Sequence, residues 1–192
     1  MSCAHVTGQL EAILYKDNNM SVSEVISNFP DYAKDIKLNY SKIINEGIFE
    51  KNLLYSIIYV SVLTTKANNL LEAVKEESKE YLTNDEIEDI YGAYSVMSMN
   101  AIYYRFTHLA TEFDYFSLPA NLRMQYLTRT KMQKSEFEML CLAVAVIIGC
   151  GKCINAHEQV LRNDNISNQK IQTVARIASV VNAVANVMRV QK

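Results

Sequence analysis

Eight consecutive residues hold the chain's most reactive chemistry: Cys150-Gly151-Lys152-Cys153-Ile154-Asn155-Ala156-His157. They follow an apolar run ending at Gly149, which places the cysteines at or near the start of a helix. Helical positions i, i+3 and i+7 share a face, so both sulfurs and the imidazole are expected in one stripe. Cysteines at this spacing can close an easily reduced disulfide rather than a structural staple. The unpaired N–H groups at a helix N-terminus favour an anion by up to about 2 kcal/mol. That is roughly one and a half pKa units off a thiol that ordinarily titrates near 8.5. Lys152 and His157 push the same way. On the residues alone three readings stay open: redox chemistry, a tetrahedral zinc held by Cys150, Cys153 and His157 with Glu138 as fourth ligand, or simple packing. Cys141, within Leu140-Cys141-Leu142-Ala143-Val144, reads as a buried inert thiol. Cys3 and His5 fall in a tail, residues 1–19, expected to be disordered. His108, beside Arg105, reads as structural or solvated. Tyr103 and Tyr104 are candidates to line a pocket.

The elements that must position these residues are expected to be helical throughout. Five Gly, two Pro and no Trp in 192 residues leave few breakers among long stretches of good helix formers. Ser21-Val22-Ser23-Glu24, Thr83-Asn84-Asp85-Glu86 and Ser135-Glu136-Phe137-Glu138 each have the pattern of a capping box. Pro30 suits the first turn of a helix reaching about Asn45, with Gly47 as its stop. Further helices are expected over Glu50–Thr64, Ala67–Tyr81, Asp85–Tyr104, Glu136–Ile148, Cys150–Arg162 and Asn168–Met188. Thr107–Thr130, with Pro119 inside it, reads as an irregular connection. No alternating pattern calls for a sheet.

Lys+Arg number 19 against 21 Asp+Glu, a net charge of −2 with no basic block, so nucleic-acid binding is not expected. The longest apolar stretch, Met139–Gly149, is too short to span a bilayer. Residues 1–20 show no basic start followed by an apolar run, and a soluble cytoplasmic protein is expected. The length allows one domain or two small fused halves.

The chain also echoes itself. Phe49-Glu50 begins a helix as Phe137-Glu138 does, an offset of 138 − 50 = 88. Thr83-Asn84 with Ile87 then matches Ser167-Asn168 with Ile171, an offset of 171 − 87 = 84, and Arg105 pairs with Arg189. Two repeats, about 49–105 and 137–189, are expected within a domain spanning 20–192. At the first offset Val62, Thr65 and Asn69 stand opposite Cys150, Cys153 and His157, so the first copy lacks the thiols.

The pattern Glu138…Cys150-x-x-Cys153-x-x-x-His157 resembles the AhpD-type alkylhydroperoxidases of the carboxymuconolactone decarboxylase-like superfamily. Phe29-Pro30-Asp31-Tyr32-Ala33-Lys34-Asp35-Ile36-Lys37-Leu38-Asn39 resembles that family's entry segment. Met97-Ser98-Met99-Asn100 through Tyr104-Arg105 and Val174-Ala175-Arg176-Ile177-Ala178 are similar as well. The resemblance covers about Met20 to Arg189. It implies a duplicated helical fold, a homotrimer, and activity in the second repeat alone. It also implies an antioxidant enzyme that reduces organic hydroperoxides with no bound cofactor. Its electrons would come from the dihydrolipoyl group of a carrier protein, and it could reduce the peroxiredoxin AhpC. Mapped onto this chain, Cys153 attacks the peroxide and becomes a sulfenic acid. Cys150, the more accessible thiol, donates a proton and then closes the redox disulfide, which the reductant later opens at Cys150. His157 is the base and Glu138 the proton relay. The family's histidine just before the second cysteine is Lys152 here, which at its ordinary pKa cannot shuttle protons at pH 7. Two other functions remain: a zinc-stabilised helical interaction module, and a decarboxylase-like member of the superfamily, for which a vicinal thiol pair has no use.

Overall fold

The computed structural model describes residues 20–191; the tail 1–19, with Cys3 and His5, lies outside them. Among the described residues the regular structure is helical, with no strand. The α-helices are α1 (Val22–Ser27), α2 (Lys34–Asn45), α3 (Lys51–Thr65), α4 (Asn68–Ser78), α5 (Asn84–Leu109), α6 (Lys134–Ile148), α7 (Gly151–Asn163) and α8 (Asn168–Val190). Short 3-10 turns cover Asp31–Ala33, Tyr115–Ser117 and Gln125–Thr128.

The centre of the fold is the pair α3 and α6. Each is 15 residues long and nearly uniformly apolar, which suits a helix covered on all sides. They pack against each other; α5 and α8 each lie along both, while α4 folds back on α3 and α7 on α6. α8 is long and apolar enough to cross a membrane by length and composition, but Val174, Ile177, Ala178, Val181, Val184 and Ala185 are buried within the bundle.

Both central helices stop in the same way. The residue after α3 is Lys66 and the residue after α6 is Gly149, and both are left-handed, at φ 58° and 78°. An arginine then reaches each last carbonyl: Arg189 of α8 donates to Thr65 O, and Arg105 of α5 donates to Ile148 O at 2.7 Å. These guanidinium bonds satisfy acceptors that a helix leaves unpaired at its end.

The capping boxes at Ser21/Glu24 and Thr83/Glu86 are present as expected. The one expected at Ser135/Glu138 is not. α6 begins at Lys134 with Gln133 as its N-cap, so Ser135 already lies inside the helix. The cause lies in α5. Asp89, fully buried, accepts from the backbone N–H of Lys131 and Met132 at 2.7 and 2.6 Å and from the Tyr126 hydroxyl at 2.9 Å. That anchor fixes the chain ahead of α6 and leaves the Glu138 carboxylate free for another partner. Pro30 likewise leads into a 3-10 turn rather than directly into α2, and Gly47 ends α2 at φ 66°. α5 outruns its expected end at Tyr104 by more than a turn.

Gly92 faces the same anchor, and a methyl group on it would run into the Tyr126 ring. Gly92→Ala is therefore expected to push Tyr126 off Asp89 and cost about 1–3 kcal/mol, lowering Tm by roughly 2–12 °C in a chain of this size. Thermal unfolding followed by circular dichroism checks this; a Tm equal to that of the unsubstituted protein would count against the anchor.

Candidate active site

The redox pair grows out of the turn between α6 and α7. Gly149 adopts the left-handed conformation that glycine takes without penalty, and its N–H returns to Ala145 O. The next N–H, of Cys150, also donates to Ala145 O at 3.1 Å. Cys150 is thereby the N-cap of α7, and its Sγ accepts from the Cys153 N–H at 3.2 Å. The helix start expected from the sequence is found there. Cys150 and Cys153 are joined as a disulfide with Cα atoms 5.3 Å apart.

Burial of the two sulfurs differs from expectation. Cys150, expected to be the more accessible, is 0% exposed, and Cys153 is 5% exposed. The reason is the turn itself: folding Cys150 N–H back to Ala145 O tucks that residue beneath the last turn of α6. Its neighbours Gly149 and Gly151 are exposed.

His157 and Glu138 meet across the α6–α7 hairpin. His157 Nδ1 and Glu138 Oε2 are 2.6 Å apart, and the side chains are 14% and 17% exposed. Glu138 thus orients an imidazole instead of capping a helix. Among the described residues no three His, Cys, Asp or Glu side chains converge as a metal-binding group. The two sulfurs are bonded to each other and Glu138 is engaged with His157, so the tetrahedral set for zinc is not assembled in this form.

Lys152, between the two cysteines, does not face them. Its Nζ lies over the Phe116 ring, 3.0 Å from the centroid, a cation–π contact with the 110–133 connection. Phe116 in turn meets Tyr104 edge-on at 6.4 Å, and Tyr104 meets Tyr103 at 5.3 Å. Tyr103 and Tyr104 thus form an aromatic run with Phe116, both half-buried, with Tyr104 packed on the core. Two surface clefts lie elsewhere, one lined by Glu158, Arg162 and Gln169 and another by Asn39, Arg176 and Ser179. His108 is exposed on the last turn of α5.

Sequence reasoning missed three participants: Asp89, the Arg105 bond to Ile148 O, and Phe116. Asp89 carried a signal, because it stands beside Ile90 in the helix stripe that continues through Ala93 and Met97. Arg105 and Phe116 carried none, since their partners are distant in the chain.

The comparisons with known proteins agree with this geometry. Residues 114–191 match the carboxymuconolactone decarboxylase family. The alkyl hydroperoxide reductase AhpD of Brucella anthropi is 37% identical over 166 residues, covering 86% of this chain and 95% of that protein. The AhpD proteins of Azorhizobium caulinodans and Hyphomonas neptunium are also 37% identical, over 86% and 88% of this chain and 92% and 94% of their own lengths. The chain belongs to the AhpD family of alkyl hydroperoxide reductases.

Cys141, fully buried on α6, is the free thiol of the described residues, and burial pushes its pKa well up, with the Glu138 carboxylate adding to the shift. A raised pKa depletes the reactive thiolate at pH 8. After reduction, brief iodoacetamide treatment of the folded protein is expected to label the Cys150/Cys153 peptide and spare Cys141 until guanidinium unfolds the chain. Peptide mass spectrometry reads both; early labelling of Cys141 would contradict its burial.

Proposed function

We propose that this chain is a thiol peroxidase that reduces organic hydroperoxides through Cys150 and Cys153. The observation that carries the reading is the disulfide at the N-terminus of α7, with His157 one turn beyond Cys153 on the same helix and held by the half-buried Glu138 carboxylate. The family membership supports it, the relatives being named for alkyl hydroperoxide reduction.

In the reduced enzyme, Cys153 thiolate attacks the terminal peroxide oxygen. An S–O bond forms, the O–O bond breaks, and the departing alkoxide takes the Cys150 thiol proton. Cys150, now a thiolate, then attacks the sulfenic sulfur and closes the disulfide, and the departing hydroxide takes the proton that His157 received from Cys153 and leaves as water. One hydroperoxide becomes one alcohol and one water, and the two thiols supply the two electrons. With Nδ1–H donated to Glu138, His157 keeps a lone pair on Nε2 for the Cys153 proton, and the carboxylate steadies the resulting imidazolium. The greater exposure of Cys153 fits its role toward peroxide. The same exposure modifies the return step: a reductant thiolate attacks Cys153, and the electron pair leaves on Cys150 Sγ, which already accepts an N–H bond.

In this reading the reductant is a dihydrolipoyl group on a carrier protein, no cofactor stays bound, and AhpC is a second electron acceptor. The protein is cytoplasmic and a homotrimer. The zinc-module and decarboxylase readings are less favoured, because the paired sulfurs and the His–Glu contact have a use in peroxide chemistry.

We further propose that the two halves are a duplication, with a register that the helix ends correct. Ile148 against Thr65 and Gly149 against Lys66 give 148 − 65 = 149 − 66 = 83; Ser167 against Thr83 and Arg189 against Arg105 give 167 − 83 = 189 − 105 = 84. The offset of 88 read from Phe49-Glu50 is replaced. Ala67, Leu70 and Val74, not Val62, Thr65 and Asn69, then stand opposite Cys150, Cys153 and His157. Leu70 and Val74 are buried apolar residues, so the first half is a scaffold without a site.

Mass spectrometry of the reduced protein after one equivalent of alkyl hydroperoxide tests the central reading. A loss of two hydrogens in the Cys150/Cys153 peptide is expected; an unchanged mass would refute it. Cys153→Ser should lose the first oxidation, whereas Cys150→Ser should be oxidised once without turnover. Equal burst oxidation of Cys153→Ser and unsubstituted protein would reverse the assignment. Glu138→Gln keeps an acceptor for His157 but cannot exchange protons, so its stability should fall by at most about 1 kcal/mol while turnover drops about 10²-fold. Equal turnover in that variant would remove Glu138 from the relay.

A further inference from the structure

We propose that Arg105 is a positioning residue of the redox turn: its guanidinium, fixed on the last carbonyl of α6, supplies the positive charge that stabilises Cys150 as a thiolate. The inference rests on the reading of Cys150 and Cys153 as a reversible redox pair and adds what lets the buried sulfur leave.

In the reduction step a thiolate of the reductant dithiol bonds to Cys153 Sγ, the S–S bond breaks, and the electron pair goes to Cys150 Sγ. The second thiol of the reductant then frees Cys153 and closes the reductant's own disulfide, and its two protons end on the two cysteines. Cys150 is 0% exposed, and a charged sulfur so far from water is disfavoured unless something compensates it. One N–H bond, from Cys153 at 3.2 Å, is in place. The end of α6 works the other way, because the carbonyls at a helix C-terminus carry partial negative charge. Arg105 reverses the sign there. Its Nη1 donates to Ile148 O at 2.7 Å, and Cys150 follows two residues later, at most about 7 Å of chain. Arg105 is half-buried and makes no ion pair among the described residues, whereas Arg162 is paired with Glu158 and Arg176 with Glu46. The other charged groups around α7 have partners or lie to one side. Glu138 is engaged with His157, Lys152 keeps its charge over the Phe116 ring, and His108 is exposed on α5. On α8, Lys170 follows the far end of α7.

α3 supplies the comparison. Arg189 makes the same bond to the last carbonyl of that helix, Thr65 O, but Ala67 and Leu70 stand two and five residues beyond it, where Cys150 and Cys153 stand beyond Ile148. Pairing a helix end accounts for the bond in both places. Only at Arg105 does the charge sit two residues from a sulfur that must carry one.

The test is the pH dependence of Cys150 alkylation by iodoacetamide in the reduced, folded, full-length protein. Trypsin cuts after Lys152, so mass spectrometry reads Cys150 and Cys153 in separate peptides. Unit charges about 10 Å apart at an effective dielectric constant of about 20 interact by roughly one pKa unit. Arg105→Gln should therefore raise the Cys150 pKa by about that much. Disulfide reduction by dithiothreitol should slow with it, since a more basic thiol leaves less readily. Arg105→Lys keeps the charge and should restore both. Arg189→Gln removes the matching bond on α3 and should lower Tm without moving the Cys150 pKa. Ile102→Glu, at an exposed position three residues before Arg105, offers the guanidinium a carboxylate and should raise the pKa relative to Ile102→Gln. That pair decides the matter if Arg105→Gln does not fold. An unchanged Cys150 pKa in Arg105→Gln, or in Ile102→Glu where that variant decides, overturns the inference. So does an equal shift in Arg189→Gln or in Arg105→Lys, which would make the effect structural. No peroxide enters these measurements, so a protein that shows the shifts yet reduces no alkyl hydroperoxide refutes the peroxidase reading alone.

Discussion

A helix surrounded by other helices cannot end without partners for its last carbonyls, since a buried acceptor left unpaired costs about 1–3 kcal/mol. α6 meets that requirement at the point where the chemistry sits. Gly149 turns left-handed, the N–H groups of Gly149 and Cys150 both return to Ala145 O, and Arg105 comes in from α5 to take Ile148 O. Cys150 is the N-cap of α7 because the same turn that closes α6 opens the next helix. The redox pair therefore stands where carbonyls ending one helix give way to N–H groups starting another. Only the second set favours a developing thiolate.

The neighbouring helix imposes a second constraint. Asp89 meets Met132 and Arg105 meets Ile148 at the same separation in sequence, 43 residues, so α5 and α6 run parallel and in register. Parallel helices cannot be joined by a short turn. The chain must travel back about 24 Å, the rise of the helix between Asp89 and Arg105 at 1.5 Å per residue. This is why the 110–133 connection is long and carries only short 3-10 turns. Its far end is tied to the buried Asp89 carboxylate, and its near end rests on aromatic contacts beside Lys152. One connection thus both starts α6 in the correct place and brings Phe116 against Lys152.

How much of this was legible in the sequence follows from the range of each interaction. Helices and the two true capping boxes rest on contacts within a turn, and Ser21/Glu24 and Thr83/Glu86 showed them directly. Ser135/Glu138 has the same local pattern and failed, because Asp89, far earlier in the chain, sets where α6 begins. The position of Cys150 at a helix start was legible from Gly149 and the apolar run before it. Its full burial was not, because that depends on the chain folding back to Ala145. Arg105 and Arg189, paired in the sequence, bond the last carbonyls of α6 and α3, whereas Phe49-Glu50 and Phe137-Glu138 do not stand at matching distances from those helix ends. Two side-chain identities are weaker markers than a helix end, and Lys66 hides the equivalence with Gly149 by taking a left-handed turn without being glycine.

The spacing of Glu138, Cys150 and His157 has a geometric meaning in this light. Glu138 lies 149 − 138 = 11 residues before Gly149 and His157 lies 157 − 149 = 8 residues after it, and their side chains meet across the two arms at 2.6 Å. Each residue added to either arm rotates the side chains beyond it by about 100° and shifts them by about 1.5 Å. A single insertion between Glu138 and Gly149 would turn the carboxylate away from the imidazole while leaving the helix intact. The site is therefore encoded less by the identities of four residues than by the lengths of the two arms that carry them. The first half makes the same point from the other side. The α3–α4 hairpin also turns through a left-handed residue, Lys66, but Leu70 and Val74 on its second arm are packed away as core. The same kind of turn precedes a cysteine pair in one hairpin and buried apolar residues in the other, and the difference is carried by the side chains that follow it.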